Sequence, residues 1–376
     1  MLDLLYQLLT SPVHFVISAF QTVIFSLFLI LPSVWYARTS ARTAKGIYHD
    51  LPYADVGDEA RTLDIYLPHP SSSVSGQGMT DRRAPVLIYI QDSGWTHVKK
   101  EAYAPFAMVL RSHGILCIVP NFRTYPTVKG QALADDINRV IRWTLANAKT
   151  YGGDPTRMNL VAHSTGLQLC FHALSLGDPT HRSIVHLIGL AGIYDLPGLY
   201  GLLARAGNYR ATTLLRIQDV SVISGLNRFS PIHLLPMIAS LDAPPHITLL
   251  HGTKDSVMST AQLSRFVDRI RARNLHARMI LLQDWSRTRF AVELLDPTQA
   301  STEAPQLPTT PSSSSSISHH PLIQAIITPI LGENGSSGQG GPIHPDNQPI
   351  LLADHAHSKS YLWRTRQWFL EFWSPL

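Results

Sequence analysis

The chain has 376 residues, with 31 Lys and Arg against 26 Asp and Glu and a formal charge of +5. The basic excess is spread along the sequence with no Lys/Arg block among aromatics, which excludes a nucleic-acid-binding surface. Only two cysteines occur, Cys117 and Cys170. Both read as small buried apolar residues, which excludes a disulfide framework.

From the N-terminus, residues 15–31 form an apolar run interrupted by Ser18, Gln21, Thr22 and Ser26, and it continues through Val34, Trp35 and Tyr36. This length approaches the roughly 20 residues that cross a bilayer, and the Trp-Tyr pair suits its interface. Arg38, Arg42 and Lys45 follow the run, whereas Asp3 is the only charge before it. The expectation is a single-pass anchor over 1–45 with the globular part in the cytosol. A cleaved signal on a secreted protein is the alternative, although the basic flank expected before such a signal is missing.

Residues 61–68 alternate apolar and polar side chains as a half-buried strand does, and 69–84 is a Ser/Gly-rich loop. The apolar runs 86–90 and 115–120 read as central strands. From Leu133 the residues Leu133, Ile137, Val140, Ile141, Leu145 and Ala148 recur at helical spacing. A Gly-Gly-Asp-Pro turn at 152–155 ends that helix. Further strands are expected at 184–190, 247–250 and 277–282, with a helix over 261–273. Strands alternating with helices predict an α/β fold with a mostly parallel, doubly wound sheet over residues 46–295. Residues 196–237 are placed where a cap could cover a pocket. The Ser/Pro/Thr-rich stretch 296–320 reads as a disordered insertion. The remainder, 321–376, carries aromatics over 361–373 that suit a terminal helix.

The motif that carries chemistry is Ala162-His163-Ser164-Thr165-Gly166, where an apolar strand runs into a small-x-Ser-x-small turn. Such an elbow presents a serine nucleophile, and small flanking residues are required because the backbones cross closely there. The helix starting at Thr165 directs its first amides at the serine oxygen. A triad in this fold runs Ser, Asp, His along the chain. Asp255, just beyond the strand at 247–250, is placed to be the acid. The oxyanion donors are expected from the backbone of Ser93 or Gly94 with Thr165, although Asp92 would bring an opposing charge.

Leu63-Asp64-Ile65-Tyr66-Leu67-Pro68, Gly94-Trp95, Lys99-Lys100-Glu101 and Pro120-Asn121-Phe122-Arg123-Thr124-Tyr125-Pro126 stand in order before Tyr151-Gly152-Gly153-Asp154-Pro155 and the elbow. Gly192-Ile193-Tyr194-Asp195 and Ser230-Pro231 follow it. Together these motifs resemble the isoprenylcysteine methylesterase-like and kynurenine formamidase-like branch of the α/β-hydrolase superfamily, over about residues 60 to 290. The resemblance implies a carboxylic ester or amide hydrolase fold, Ser164 as nucleophile, Asp255 as acid, and no metal or organic cofactor. For the methylesterase branch it also implies an endoplasmic reticulum or Golgi membrane.

The family's histidine would fall in Trp285-Ser286-Arg287-Thr288-Arg289-Phe290, which contains none; Arg289 is expected in its place. A guanidinium stays protonated near neutral pH and cannot act as general base. The candidates for a displaced base are His357 and His355, ahead of His319 and His320. Two functions follow: a membrane-anchored serine hydrolase acting on a small or lipid-like carboxylic ester, or a catalytically inactive relative that binds at the membrane.

Overall fold

The computed structural model describes residues 43–54, 58–70, 83–96, 99–208, 210–295, 320–331 and 350–352, together with Trp35, Thr39 and Ala41. Nearly all of the anchor, insertion and terminal-helix expectations lie outside these residues, as do His319, His355 and His357. Among the described residues, no helix is long and apolar enough to cross a membrane.

Among the described residues, nine strands form one sheet: β1 (Ile47–Pro52), β2 (Thr62–Tyr66), β3 (Ala84–Ile90), β4 (Leu116–Pro120), β5 (Gly153–His163), β6 (Ile184–Leu190), β7 (His246–Gly252), β8 (Ala277–Leu282) and β9 (Ile350–Leu352). Their order is β1-β2-β4-β3-β5-β6-β7-β8-β9. The pairs β1–β2 and β2–β4 are antiparallel, and every other pair is parallel. The expected strands at 184–190 and 277–282 coincide with β6 and β8. β1 and β9 were not legible, because a six-residue edge strand and a three-residue strand carry too little periodicity.

Nine α-helices accompany the sheet among the described residues: α1 (Ala104–Ser112), α2 (Gln131–Asn147), α3 (Thr165–Ser175), α4 (Leu196–Arg205), α5 (Arg210–Ile217), α6 (Pro231–Ala239), α7 (Thr260–Arg271), α8 (Arg287–Leu295) and α9 (Pro321–Leu331). Side-chain alternation on the strands divides the core between the two faces of the sheet. Val86, Ile88, Leu160, Leu187 and Leu249 pack with Leu133 and Ile137 of α2, Leu167 and Phe171 of α3, and Phe266 of α7. Leu87, Tyr89, Val161, Ile188 and Leu250 pack with Phe106 of α1, Phe290 of α8 and Ile326 of α9. Central strands buried on both faces explain why their sequences are continuous apolar runs.

Two glycines set the geometry of the sheet's carboxyl end. A Cβ on Gly166 would lie 2.5 Å from the Ile90 carbonyl oxygen and 2.7 Å from that of Gln91, so only glycine lets α3 cross so close to β3. A Cβ on Gly252 would fall on the Trp285 carbonyl oxygen. With that space clear, the Lys254 amide donates to Trp285 O at 2.9 Å and the loop after β8 lies against the loop after β7.

Candidate active site

Ser164 sits between β5 and α3 with φ 53° and ψ −114°. A non-glycine residue held there costs of order 1–3 kcal/mol, which the surrounding structure must offset. The Ser164 amide donates to Leu190 O at 2.9 Å, tying the turn to β6. Ser164 is 2% exposed.

Asp255 reaches the same point from the loop after β7. Its Oδ1 accepts the amides of Val257 at 2.8 Å and Met258 at 2.9 Å, which fix the carboxylate. His251 is no rival for the base, since its Nε2 lies 2.6 Å from Met258 O and serves as a donor there.

Between them lies Arg287. Its Nη1 donates to Ser164 Oγ at 2.8 Å, and its Nη2 lies 3.2 Å from Asp255 Oδ2 and also donates to Gly192 O at 3.4 Å. The expectation of Arg289 in this place is corrected. The Ser286 hydroxyl accepts the Arg289 amide at 3.2 Å and starts α8 at Arg287, in the manner of an N-cap. Arg289 points elsewhere: its guanidinium stacks 4.5 Å above the Trp285 ring and meets Glu293 at 3.5 Å, and Glu293 in turn faces His320 at 3.1 Å. A serine three residues ahead of one arginine was the signal that would have selected the other.

The resulting chain, Ser164–Arg287–Asp255, has the connectivity of a catalytic triad with a guanidinium in the middle. Such a group polarises the serine oxygen but offers no lone pair for its proton. The side chains of Asp255 and Arg287 are 0% and 8% exposed, so the two charges are compensated mainly by each other.

The loop expected to supply the oxyanion donors is hydrogen-bonded within itself and to Thr165. The Ser93 amide donates to Thr165 Oγ1 at 3.1 Å, Thr165 Oγ1 donates to Asp92 Oδ1 at 2.7 Å, and the Gly94 amide donates to the same oxygen at 3.1 Å. Of the amides expected to meet an oxyanion, those of Ser93 and Gly94 are thus engaged, whereas Thr165 at the start of α3 has no intrahelical acceptor. Burial pushes the Asp92 carboxyl up, but His163, the Thr165 and Gly94 hydrogen bonds and the Arg287 charge outweigh it and hold it below its ordinary value. Asp92 is therefore ionised at neutral pH. Farther out, Trp95 Nε1 donates to Gln168 Oε1 at 2.8 Å, and Gln168 Nε2 donates to Phe229 O at 2.8 Å. One turn of α3 thus joins the oxyanion loop to the 196–239 region.

His163, next to the serine, is 1% exposed, and neither ring nitrogen has a hydrogen-bond partner among the described residues. Burial, reinforced by Arg287, lowers its pKa to about 4; burial also lowers that of His172 to about 4. Below pH 6.5 the unfolded chain gains protons that these folded sites refuse. Stability is therefore full above pH 6.5 and lost as pH falls toward 4, by up to roughly 3 kcal/mol for each group. Denaturant melts from pH 7 to 4.5 should show this decline, shallower in His172→Gln; a flat profile would contradict it.

Residues 63–270 match the BD-FAE family. The chain is 26% identical over 285 residues to a probable isoprenylcysteine alpha-carbonyl methylesterase of Oryza sativa subsp. japonica, covering 69% of this chain and 61% of that protein. It is 28% identical over 262 residues to a probable carboxylic ester hydrolase of Mycobacterium tuberculosis, covering 67% of this chain and 57% of that protein. The chain therefore spans only about three fifths of the length of these relatives. Among solved structures, esterase B of Lactobacillus rhamnosis superposes with a TM-score of 0.56 at 14% identity, covering 77% of this chain and 93% of that one. That likeness concerns the fold alone. The matched residues contain both the elbow and Asp255, and on this evidence the chain belongs to the BD-FAE family, in the esterase branch of the α/β-hydrolases.

Proposed function

We propose that the chain is a carboxylic ester hydrolase with Ser164 as nucleophile and Asp255 as acid, in which Arg287 is a resting occupant of the base's position. The observation that carries this reading is the strained Ser164 backbone, kept at the sheet end where Asp255 also lies. The names of the relatives support an ester as substrate. Turnover requires an imidazole in place of the guanidinium. β9 ends at Leu352 beside Leu282 of β8, at this same end of the sheet, three residues before His355 and five before His357. In the reaction, Ser164 Oγ attacks the ester carbonyl and its proton passes to that histidine. The alcohol departs with the proton, and water hydrolyses the acyl-serine by the same route. Ser93 or Gly94 must first release its internal acceptor to join Thr165 at the oxyanion. The apolar run at 15–36 and the methylesterase relatives favour a hydrophobic or lipidated methyl ester, met at an endoplasmic reticulum or Golgi membrane.

The 2.8 Å bond from Arg287 to Ser164 favours a second reading, an inactive relative that binds its ligand without turnover. Labelling by a fluorophosphonate separates the two. The hydrolase reading expects slow labelling of the wild type, abolished in Ser164→Ala and in one of His355→Ala and His357→Ala. An unlabelled wild type, under conditions where a related esterase reacts, would overturn it in favour of the binding reading.

A further inference from the structure

Gln168 of α3 lies one helical turn beyond Ser164 and is fully buried. The two ends of its amide face different parts of the chain. Oε1 accepts the Trp95 indole N–H at 2.8 Å, and Nε2 donates to Phe229 O at 2.8 Å. An indole nitrogen only donates and a carbonyl only accepts, so the amide has a single orientation in which both ends are used. No apolar side chain serves either partner.

The backbone that the indole holds is strained. Gly94 and Trp95 have φ of 51° and 60°, a left-handed conformation that is unfavourable for a side chain as large as tryptophan. Such a backbone persists only where its surroundings fix it. The Trp95 amide donates to Ser93 Oγ at 3.0 Å, its carbonyl accepts the Tyr125 amide at 2.8 Å, and its indole is bonded to Gln168. Of these three contacts only the last reaches α3, the helix that starts at the nucleophile. The other end is also anchored. Phe229 closes a short 3-10 helix over Ile223–Phe229, and the Ser230 hydroxyl beside it accepts the Leu196 amide at 3.0 Å and donates to Leu226 O at 3.0 Å. Gln168 thus joins two sequence motifs that the elbow alone leaves unexplained, Gly94-Trp95 and Ser230-Pro231.

We infer that Gln168 is a positioning residue: through the indole it keeps the left-handed Gly94 and Trp95 backbone in place beside Ser164, and through Phe229 it ties that hold to the 196–239 segment. Its kinetic consequence rests on the reading of Ser164 as nucleophile. The Ser93 and Gly94 amides reach an oxyanion only if their loop keeps its place, and a displacement near 1 Å costs about 10²-fold.

The test takes two readouts on the full chain: exchange of the Trp95 indole proton by NMR, assigned from its loss in Trp95→Phe, and fluorophosphonate labelling of Ser164 at varied probe concentration. Gln168→Met keeps the side-chain length and removes both hydrogen bonds. It should speed exchange of the indole proton by at least about tenfold while the amides of β5 and β6 keep their protection. The maximal labelling rate should fall by at least about tenfold at an unchanged half-saturating concentration. A merely destabilised variant would instead raise exchange across the sheet and leave the rate of its folded fraction unchanged. Trp95→Phe, which keeps an aromatic ring and lacks the indole N–H, should slow labelling likewise, and the double variant should label no more slowly than the slower single one. Unchanged indole exchange in Gln168→Met would overturn the inference. So would a labelled wild type whose rate is unchanged in either variant, or losses that multiply in the double variant. A wild type that takes no label overturns the hydrolase reading instead, and indole exchange alone then decides whether Gln168 holds the loop.

Discussion

Replacing Arg287 with histidine should speed fluorophosphonate labelling of Ser164 by about 10²-fold, the low end of what a positioned general base contributes. The low end applies because the Asp92 carboxylate stays bonded to Thr165 beside the elbow and the Ser93 and Gly94 amides remain engaged. In the wild type the guanidinium donates to the serine oxygen and gives the hydroxyl proton nowhere to go. An imidazole at the same point, held by Asp255, accepts it. Histidine is shorter than arginine by about two bond lengths, so Arg287→Gly supplemented with free imidazole provides the same base without that constraint on reach. Labelling of this variant should rise and saturate with imidazole concentration, and in neither variant should it depend on His355 or His357. If both variants fold and react no faster than the wild type, Arg287 does not occupy the base's position.

The second large effect is on stability. Asp255→Asn keeps an oxygen for the Val257 and Met258 amides but removes the charge that compensates Arg287. Leaving one member of a buried ion pair unmatched costs about 3–5 kcal/mol. For a domain of this size, each kcal/mol lowers the midpoint by about 2–4 °C, so thermal unfolding should begin roughly 10 °C lower. A triad with a neutral histidine in the middle would show no such penalty. Unchanged unfolding of Asp255→Asn would therefore indicate that Arg287 is not buried against Asp255.

Ser164 and its elbow were legible because close backbone crossing permits few residue types, and the crossing of α3 over the Ile90 carbonyl shows why Gly166 must be glycine. Asp255 was legible as a candidate from its place after an apolar strand, and the strands at 184–190 and 277–282 from mostly apolar segments that carry a single charged or titratable residue each, His186 and Arg278. Arg287 was not. Choosing between two arginines in Trp285-Ser286-Arg287-Thr288-Arg289 depends on the helical turn at which α8 starts, which Ser286 sets, and on the space that Gly252 leaves for the Trp285 backbone. The internal bonding of the oxyanion loop was equally hidden. Ser93 and Gly94 are the donors the sequence leads one to expect, but the engagement of their amides depends on the rotamers of Asp92 and Thr165, which sequence spacing does not encode.

The most direct measurement of the central claim, that Arg287 stands in the base's place and is paired with Asp255, is a double-mutant cycle in unfolding free energy. It uses Asp255→Asn, Arg287→Met and the double variant. The pair predicts a coupling of at least about 2 kcal/mol, with the double variant more stable than Asp255→Asn alone. Additivity within about 0.5 kcal/mol would contradict it.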